Sequence, residues 1–237
     1  LSLEERASKE AAFKYFILGS FASALMLYGI SFIYGTVGTT YLPDLLTSAH
    51  NLVGINRLFL LGFILLLVGL LFKVSVFPFH AWAPDVYQGS PTPLAAFMAT
   101  SVKAVTFALL LRLMTSDVLN SERFFPFVDA LQWLTMLTII IGNVGAFRQK
   151  SLKRMLAYSS VAHSGYIMIG IIAAGIQGGG AGMLGASGVL FFLVAYSIMT
   201  VGAFGVLHLL EDRAETDLSI EDLRGLGQSR PILAIIM

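Results

Sequence analysis

At 237 residues the chain has room for one or two soluble domains, but 57% of it is apolar, only 12% is charged and its mean hydropathy is +0.81. Soluble domains carry about 25% charged residues, so half the usual solvating surface is missing, and a formal net charge of +1 argues against nucleic-acid binding. Without cysteine, disulfides, iron–sulfur ligation and thiol chemistry are excluded within this chain. What is left is a polytopic membrane protein.

The chain opens at Leu1 with a charged segment (Glu4, Glu5, Arg6, Lys9, Glu10) and no signal-peptide pattern. Six apolar stretches then follow that are long enough to cross a bilayer: 11–34, 57–80, 93–112, 127–147, 152–176 and 183–210. A truncated seventh starts at Pro231. The reading is one transmembrane domain, 1–237, and an internal piece of a longer chain. Lipid leaves no solvent for open backbone groups, so spans are helices or closed barrels. The run 60–71 shows no alternation, and the fold class is all-α, a transmembrane helical bundle.

Loop charge sets the orientation. If the segment before residue 11 is cytoplasmic, that side carries ten Lys/Arg, from Arg6, Lys9 and Lys14 through 148–154 to 211–230. The other side carries three: Arg57, Arg112 and Arg123. On this reading 148–154 and 211–230 are cytoplasmic, the glycine-rich 177–182 is a flexible external loop, and His50 lies in a loop.

Thirteen of the 15 basic residues are thereby placed. The remaining two, Lys73 and Lys103, lie inside spans. A lysine at a helix centre costs about 2.5–3.5 kcal/mol on insertion scales, so each needs a reason. Lys103 is roughly 14 Å from either end of its span at 1.5 Å per residue, while Lys73 is close enough to His80 for snorkelling to compete with function. Desolvation destabilises an ammonium, so a buried lysine can take up and release a proton without a cofactor. None of the 14 acidic residues lies within a span interior. Either a carboxylate partner lies outside the chain, or the lysines face water and each other.

The second span has another peculiarity. In Lys73-Val-Ser-Val-Phe-Pro78-Phe-His80, proline removes a backbone donor and breaks or kinks the helix. Broken helices beside ionisable residues typify ion pathways, and the competing reading is an ordinary helix end before Pro84, Pro91 and Pro93. In the fifth span Ser159, His163 and Tyr166 share a helical face, with Ser160 and Ser164 alongside. His163 can relay protons or serve as a hydrogen-bonded packing residue; His80 and His208 sit at span ends and read as structural. Gly19, Ser23, Gly165 and Gly202 read as close helix packing.

From Lys73 onward the sequence stops being generic. Lys-Val-Ser-Val-Phe-Pro-Phe-His-Ala-Trp-Ala-Pro-Asp-Val-Tyr-Gln-Gly-Ser-Pro-Thr-Pro, followed by Ala-Thr-Ser-Val-Lys103, resembles subunit N of bacterial NADH–quinone oxidoreductase, an antiporter-like subunit of respiratory complex I. Two further stretches carry the resemblance: Arg148-Gln-Lys-Ser-Leu-Lys-Arg-Met-Leu-Ala-Tyr-Ser-Ser-Val-Ala-His163-Ser-Gly-Tyr166, and the helix from Ala195 with Ile220-Glu-Asp-Leu-Arg-Gly-Leu-Gly227. It implies that the chain covers the family's sixth to eleventh helices and the start of the twelfth. Lys73 then matches the lysine of the broken seventh helix, Lys103 the central lysine of the eighth, and His163 a polar position on the tenth. The acidic partner would lie upstream of Leu1 and a third lysine beyond Met237.

The implied function is proton translocation through Lys73, Lys103 and His163, with Ser159, Ser160 and Tyr166 as a possible polar relay, coupled to electron transfer from NADH to quinone. No redox chemistry, cofactor or metal is expected in this chain. NADH, FMN, iron–sulfur clusters and quinone would belong to other subunits, the partners would be other membrane subunits including antiporter-like ones, and the location would be the bacterial inner membrane. Two rivals stand beside this reading: a subunit of a stand-alone multi-subunit cation/proton antiporter, and a purely structural membrane subunit. The Asp85-Val-Tyr-Gln-Gly segment favours complex I.

Overall fold

The computed structural model describes residues 6–52, 56–115, 125–177, 179–211 and 218–237; the Lys/Arg positions Arg123 and Arg213 lie outside them. Eleven α-helices are found among the described residues. The long ones are α1 (Arg6–Val37), α3 (Arg57–Lys73), α7 (Phe125–Phe147), α8 (Leu152–Gln177) and α9 (Gly179–Glu211). Between α3 and α7 the chain forms α4 (Trp82–Gly89), α5 (Thr92–Phe97), a π-helical turn (Met98–Val102) and α6 (Lys103–Met114). Five helical segments are long and apolar enough to cross a membrane: Ser8–Val37, Thr92–Met114, Phe127–Phe147, Leu152–Gly175 and Gly182–Glu211. The protein is thus a multi-pass helical membrane protein.

The second apolar stretch, 57–80, is the broken one. Helix α3 has 17 residues, about 26 Å at 1.5 Å per residue, and stops at Lys73. The stop is a Schellman motif built without glycine: Ser75 adopts φ 59°, its N–H donates to Phe72 O, and the Val76 N–H donates to Leu71 O. Leu71 and Val76 lie in the same buried cluster, the apolar contact that accompanies such an end. The helix has therefore ended before Pro78 is reached. The backbone groups freed by the break find partners, as membrane depth demands. Phe77 N donates to Thr138 Oγ1 at 2.9 Å, and the indole of Trp82 donates to Phe72 O at 3.0 Å.

Three segments expected as loops are helical. Residues 42–52 form α2 (Leu42–Leu52), because Leu42, Leu45 and Leu46 find the main apolar cluster to pack against. Residues 82–89 form α4 in the same way, burying Trp82, Ala83, Val86 and Tyr87. The glycine-rich stretch is mostly absorbed by α8 and α9, since a Cβ on Gly182 would come 2.9 Å from Ala174 O and one on Gly185 3.1 Å from Ala174 Cα. Beyond α9, α10 (Leu226–Ser229) precedes α11 (Pro231–Ile236), which Pro231 opens.

Helix α1 packs along α3, α7 along α8, and α8 along α9. Close approach of α1 and α3 depends on Gly29 and Gly62, each lying against the other's carbonyl. Gly165 does bring α8 against α7, with Ile139 Cγ1 only 2.5 Å from where a Cβ would sit, and Gly202 meets Ile236. Gly19 does not: its nearest such neighbour is Phe72 Cε1 at 4.0 Å, and with Ser23 it lines a cavity instead.

One end of the bundle is tied by ions. Asp85 on α4 accepts from Lys14 of α1 and Arg154 of α8, both at 2.7 Å. Lys153 pairs with Glu211 at 2.9 Å, and Thr92 donates to the same carboxylate. An antiparallel bridge joins Ser151 to Ser219 beside them. The start of α1, the 148–154 turn and the segment after α9 therefore share one end.

Candidate functional site

Lys103 is the first residue of α6, directly after the π-helical turn. A π-helical turn holds an extra residue per turn and re-aims whatever follows it; here it turns the lysine into the protein. Lys103 is 1% exposed. Its ammonium donates to Ser160 O at 2.8 Å, Ser160 Oγ at 2.7 Å and Ser164 Oγ at 2.9 Å. All three acceptors belong to α8, where residues four apart stand one above the other, and all three are neutral. Ser164 in turn donates to Ser160 O.

The network continues to α9. Ser160 Oγ lies 2.8 Å from the hydroxyl of Tyr196, which is itself buried. The Tyr196 ring stands 5.1 Å from that of half-buried His163, whose Nδ1 is sealed from solvent and has no hydrogen-bond partner among the described residues. Lys103, Ser160, Tyr196 and His163 thus follow one another across three helices.

Lys73 has a different setting. It is the last residue of α3, where a cation favours the helix C-terminus, and it is half-buried. It lines a cavity of about 790 Å³ between α1, α3, α4, α5 and the π-helical turn that precedes Lys103. Tyr15, Gly19 and Ser23 of α1 form one wall, and Met98 and Val102, immediately before Lys103, form another. No hydrogen bond or ion pair to Lys73 occurs among the described residues.

Of the residues singled out from sequence, the structure joins Lys103 to Ser160 directly and sets His163 one ring contact further on. Ser159 is half-buried and makes no hydrogen bond to this chain of contacts among the described residues. Tyr166 is 39% exposed; it meets His163 edge-on at 5.6 Å and accepts from Asn143 of α7 at 3.1 Å. Pro78 lies in the break, three residues beyond the αL turn that ends α3. Tyr196 and Tyr87 were not anticipated. The available signal was a tyrosine in the largely apolar 183–210 and another on the short helix after the break. Asp85 was noted only as part of a motif. Burial works to raise its pKa, but the hydrogen bonds from Lys14 and Arg154 outweigh this and hold it below the ordinary carboxylate value. Among the described residues no group of three or more His, Asp or Glu could hold a metal ion.

A discontinuous helix ending on one lysine, beside a π-turned helix that buries another, defines a class of polytopic membrane protein with ionisable groups at depth. The chain belongs to the family described as NADH:quinone oxidoreductase/Mrp antiporter, transmembrane, which it matches over residues 2–237. It is 52% identical to NADH-quinone oxidoreductase subunit N of Bdellovibrio bacteriovorus, over 100% of this chain and 48% of that one. A chain of respiratory complex I from Thermus thermophilus superposes with a TM-score of 0.73 at 37% identity, over 99% of this chain and 47% of that one. A chain of the Mrp complex from Dietzia has a TM-score of 0.83 at 21% identity, over 97% and 40% respectively, a likeness of fold. The chain spans about half the length of the relatives it matches.

Proposed function

We propose that this chain works as part of an antiporter-like subunit in the membrane arm of a proton-pumping NADH:quinone oxidoreductase, and that Lys103 is the centre of its proton path. The observation that carries the reading is the shell of Lys103: a fully buried lysine held by two serine hydroxyls and one carbonyl, with a tyrosine and a histidine in line behind them. Such a shell passes a proton by reversing hydrogen bonds. Lys103 gives a proton to Ser160 Oγ as Ser160 gives its own to Tyr196, and Tyr196 releases its hydroxyl proton towards His163. Lys103 ends neutral, His163 ends charged, and both hydroxyl groups are restored. Lys73, open to the cavity, supplies Lys103 from the other side.

The 52% identity to a subunit N favours the complex I assignment over a stand-alone antiporter. On this reading NADH, FMN, the iron–sulfur clusters and quinone are held by other subunits, and the partners are other membrane subunits, antiporter-like ones included. The membrane is the bacterial inner membrane, with the end that carries Lys14, Arg148, Lys153 and Arg154 in the cytoplasm by the bias of basic residues. The test is Lys103→Met in the complete complex, followed by NADH–quinone electron transfer and proton uptake in membrane vesicles after assembly is verified. Loss of pumping is expected. Full activity in both assays overturns the proposal.

A further inference from the structure

Tyr87 is fully buried, and its hydroxyl has no hydrogen-bond partner among the described residues. It belongs to α4, the short helix that follows the break. Its ring is held edge-on against Trp82 at 6.1 Å and Phe204 at 6.2 Å, in an apolar cluster with Ala99, Ala157 and Val161. Those neighbours flank the Lys103 site: Ala99 lies one turn before Lys103, and Ala157 and Val161 lie on either side of Ser160. Packed against Ala157 and Val161, the phenol is a neighbour of Ser160 on the same helix, yet no hydrogen bond from its hydroxyl is completed among the described residues.

A serine hydroxyl can donate once and accept twice. Ser160 Oγ accepts from Lys103 and shares one hydrogen bond with Tyr196; with Ser160 as the donor to Tyr196, one acceptor position is unused. Leaving a buried phenol without any partner is costly, and the open position on Ser160 Oγ is an acceptor beside its cluster. We infer that Tyr87 is a positioning residue for Lys103, its hydroxyl donating the third hydrogen bond to Ser160 Oγ. The inference rests on the function proposed above.

The consequence is a link between the broken segment and the buried lysine. When Lys103 is charged, Ser160 accepts from it, donates to Tyr196 and accepts from Tyr87. When Lys103 is neutral, Ser160 donates to its amine and accepts from both tyrosines. Tyr87 fits both states, and any displacement of α4 at the break removes its hydrogen bond from Ser160.

The test compares Tyr87→Phe, which keeps the ring packing, with Lys103→Met in the intact complex. Assembly, NADH–quinone electron transfer, proton uptake and the solvent deuterium isotope effect on uptake are measured together. Tyr87→Phe is expected to assemble normally, to lower proton uptake about fivefold, the weight of one neutral hydrogen bond, and to change the isotope effect. If Lys103→Met abolishes pumping while Tyr87→Phe leaves uptake or the isotope effect unaltered, this inference fails and the proposed function stands. Defective assembly of Tyr87→Phe also overturns it, because the hydroxyl is then structural. An active Lys103→Met overturns the function itself.

Discussion

Ser160→Ala separates the two parts of the Lys103 shell. The substitution leaves the carbonyl of residue 160, and its 2.8 Å bond from Lys103, in place. It deletes the 2.7 Å bond from the ammonium to Oγ and the 2.8 Å link to Tyr196. A hydrogen bond to a charged group contributes about 1.5–3 kcal/mol, and about 1.4 kcal/mol is a factor of ten in rate. A transfer step routed through Oγ therefore slows by roughly 10- to 100-fold. Ser164→Ala is the matched control. It too removes a bond to the ammonium, at 2.9 Å, but Ser164 has no hydrogen bond to Tyr196 among the described residues, so its effect is expected to be several-fold smaller. Both variants are to be measured in vesicles containing the complete complex, by proton uptake and by NADH–quinone electron transfer. A Ser164→Ala defect equal to or larger than that of Ser160→Ala would refute the route through Tyr196.

Gly29→Ala would place a methyl group 2.6 Å from Gly62 O and Leu66 N, both backbone atoms, and should destabilise the α1–α3 packing by about 1–3 kcal/mol. Gly35→Ala, with open space around it, should be neutral when thermal stability of the detergent-solubilised protein is compared. At Ser75, φ 59° makes glycine acceptable, while Ser75→Val should cost about 1–2 kcal/mol and lower the same thermal midpoint. Asp85→Asn should lower it more than Lys14→Met does, because Asp85 holds two cations and Lys14 bridges to only one residue of α4. Since the carboxyl of Asp85 is held below its ordinary value, its ion pairs stabilise the fold above the ordinary carboxylate pKa. That contribution should fade as pH falls through the depressed value, and the acid-side loss should be smaller in Asp85→Asn.

Hydropathy made the all-α class and the approximate spans legible, because lipid allows the backbone few alternatives. The insertion cost of lysine made Lys103 legible in the same way, and i, i+4 spacing placed Ser160 and Ser164 on one face. The details of the break were harder to read. Pro78 is the visible breaker, yet α3 ends at Lys73 through an αL residue at the position where glycine usually stands, and a serine there carries no signal. The π-helical turn before Lys103 has no compositional mark, although it sets the lysine's direction. Tyr196 and Tyr87 were invisible for a different reason. Neither stands out by type or spacing from the other polar residues of its helix, Asp85 and Gln88 on α4 and Ser197 and Thr200 on α9, and only tertiary packing brings Tyr196 onto Ser160 and Tyr87 into the cluster beside it.

Lysine and its partners are used in this chain in two incompatible ways, and the difference bears on mechanism. At the bundle end Lys14 and Arg154 meet the fixed carboxylate of Asp85, and breaking a partly buried pair leaves a charge without its partner, so such a cluster holds helices together. Lys103 meets only hydroxyls and a carbonyl. As an ammonium it donates to all three. As an amine it donates to Ser160 O and Ser164 Oγ and accepts from Ser160 Oγ, so no group is orphaned in either state. A carboxylate in place of Ser160 would favour the charged lysine strongly and leave an uncompensated anion once the proton departed. Reversibility is therefore served by the neutral shell, and a direct check follows: Ser160→Asp should trap Lys103 in its charged form and stop proton uptake, whereas Ser160→Thr, which keeps the hydroxyl, should retain most of it.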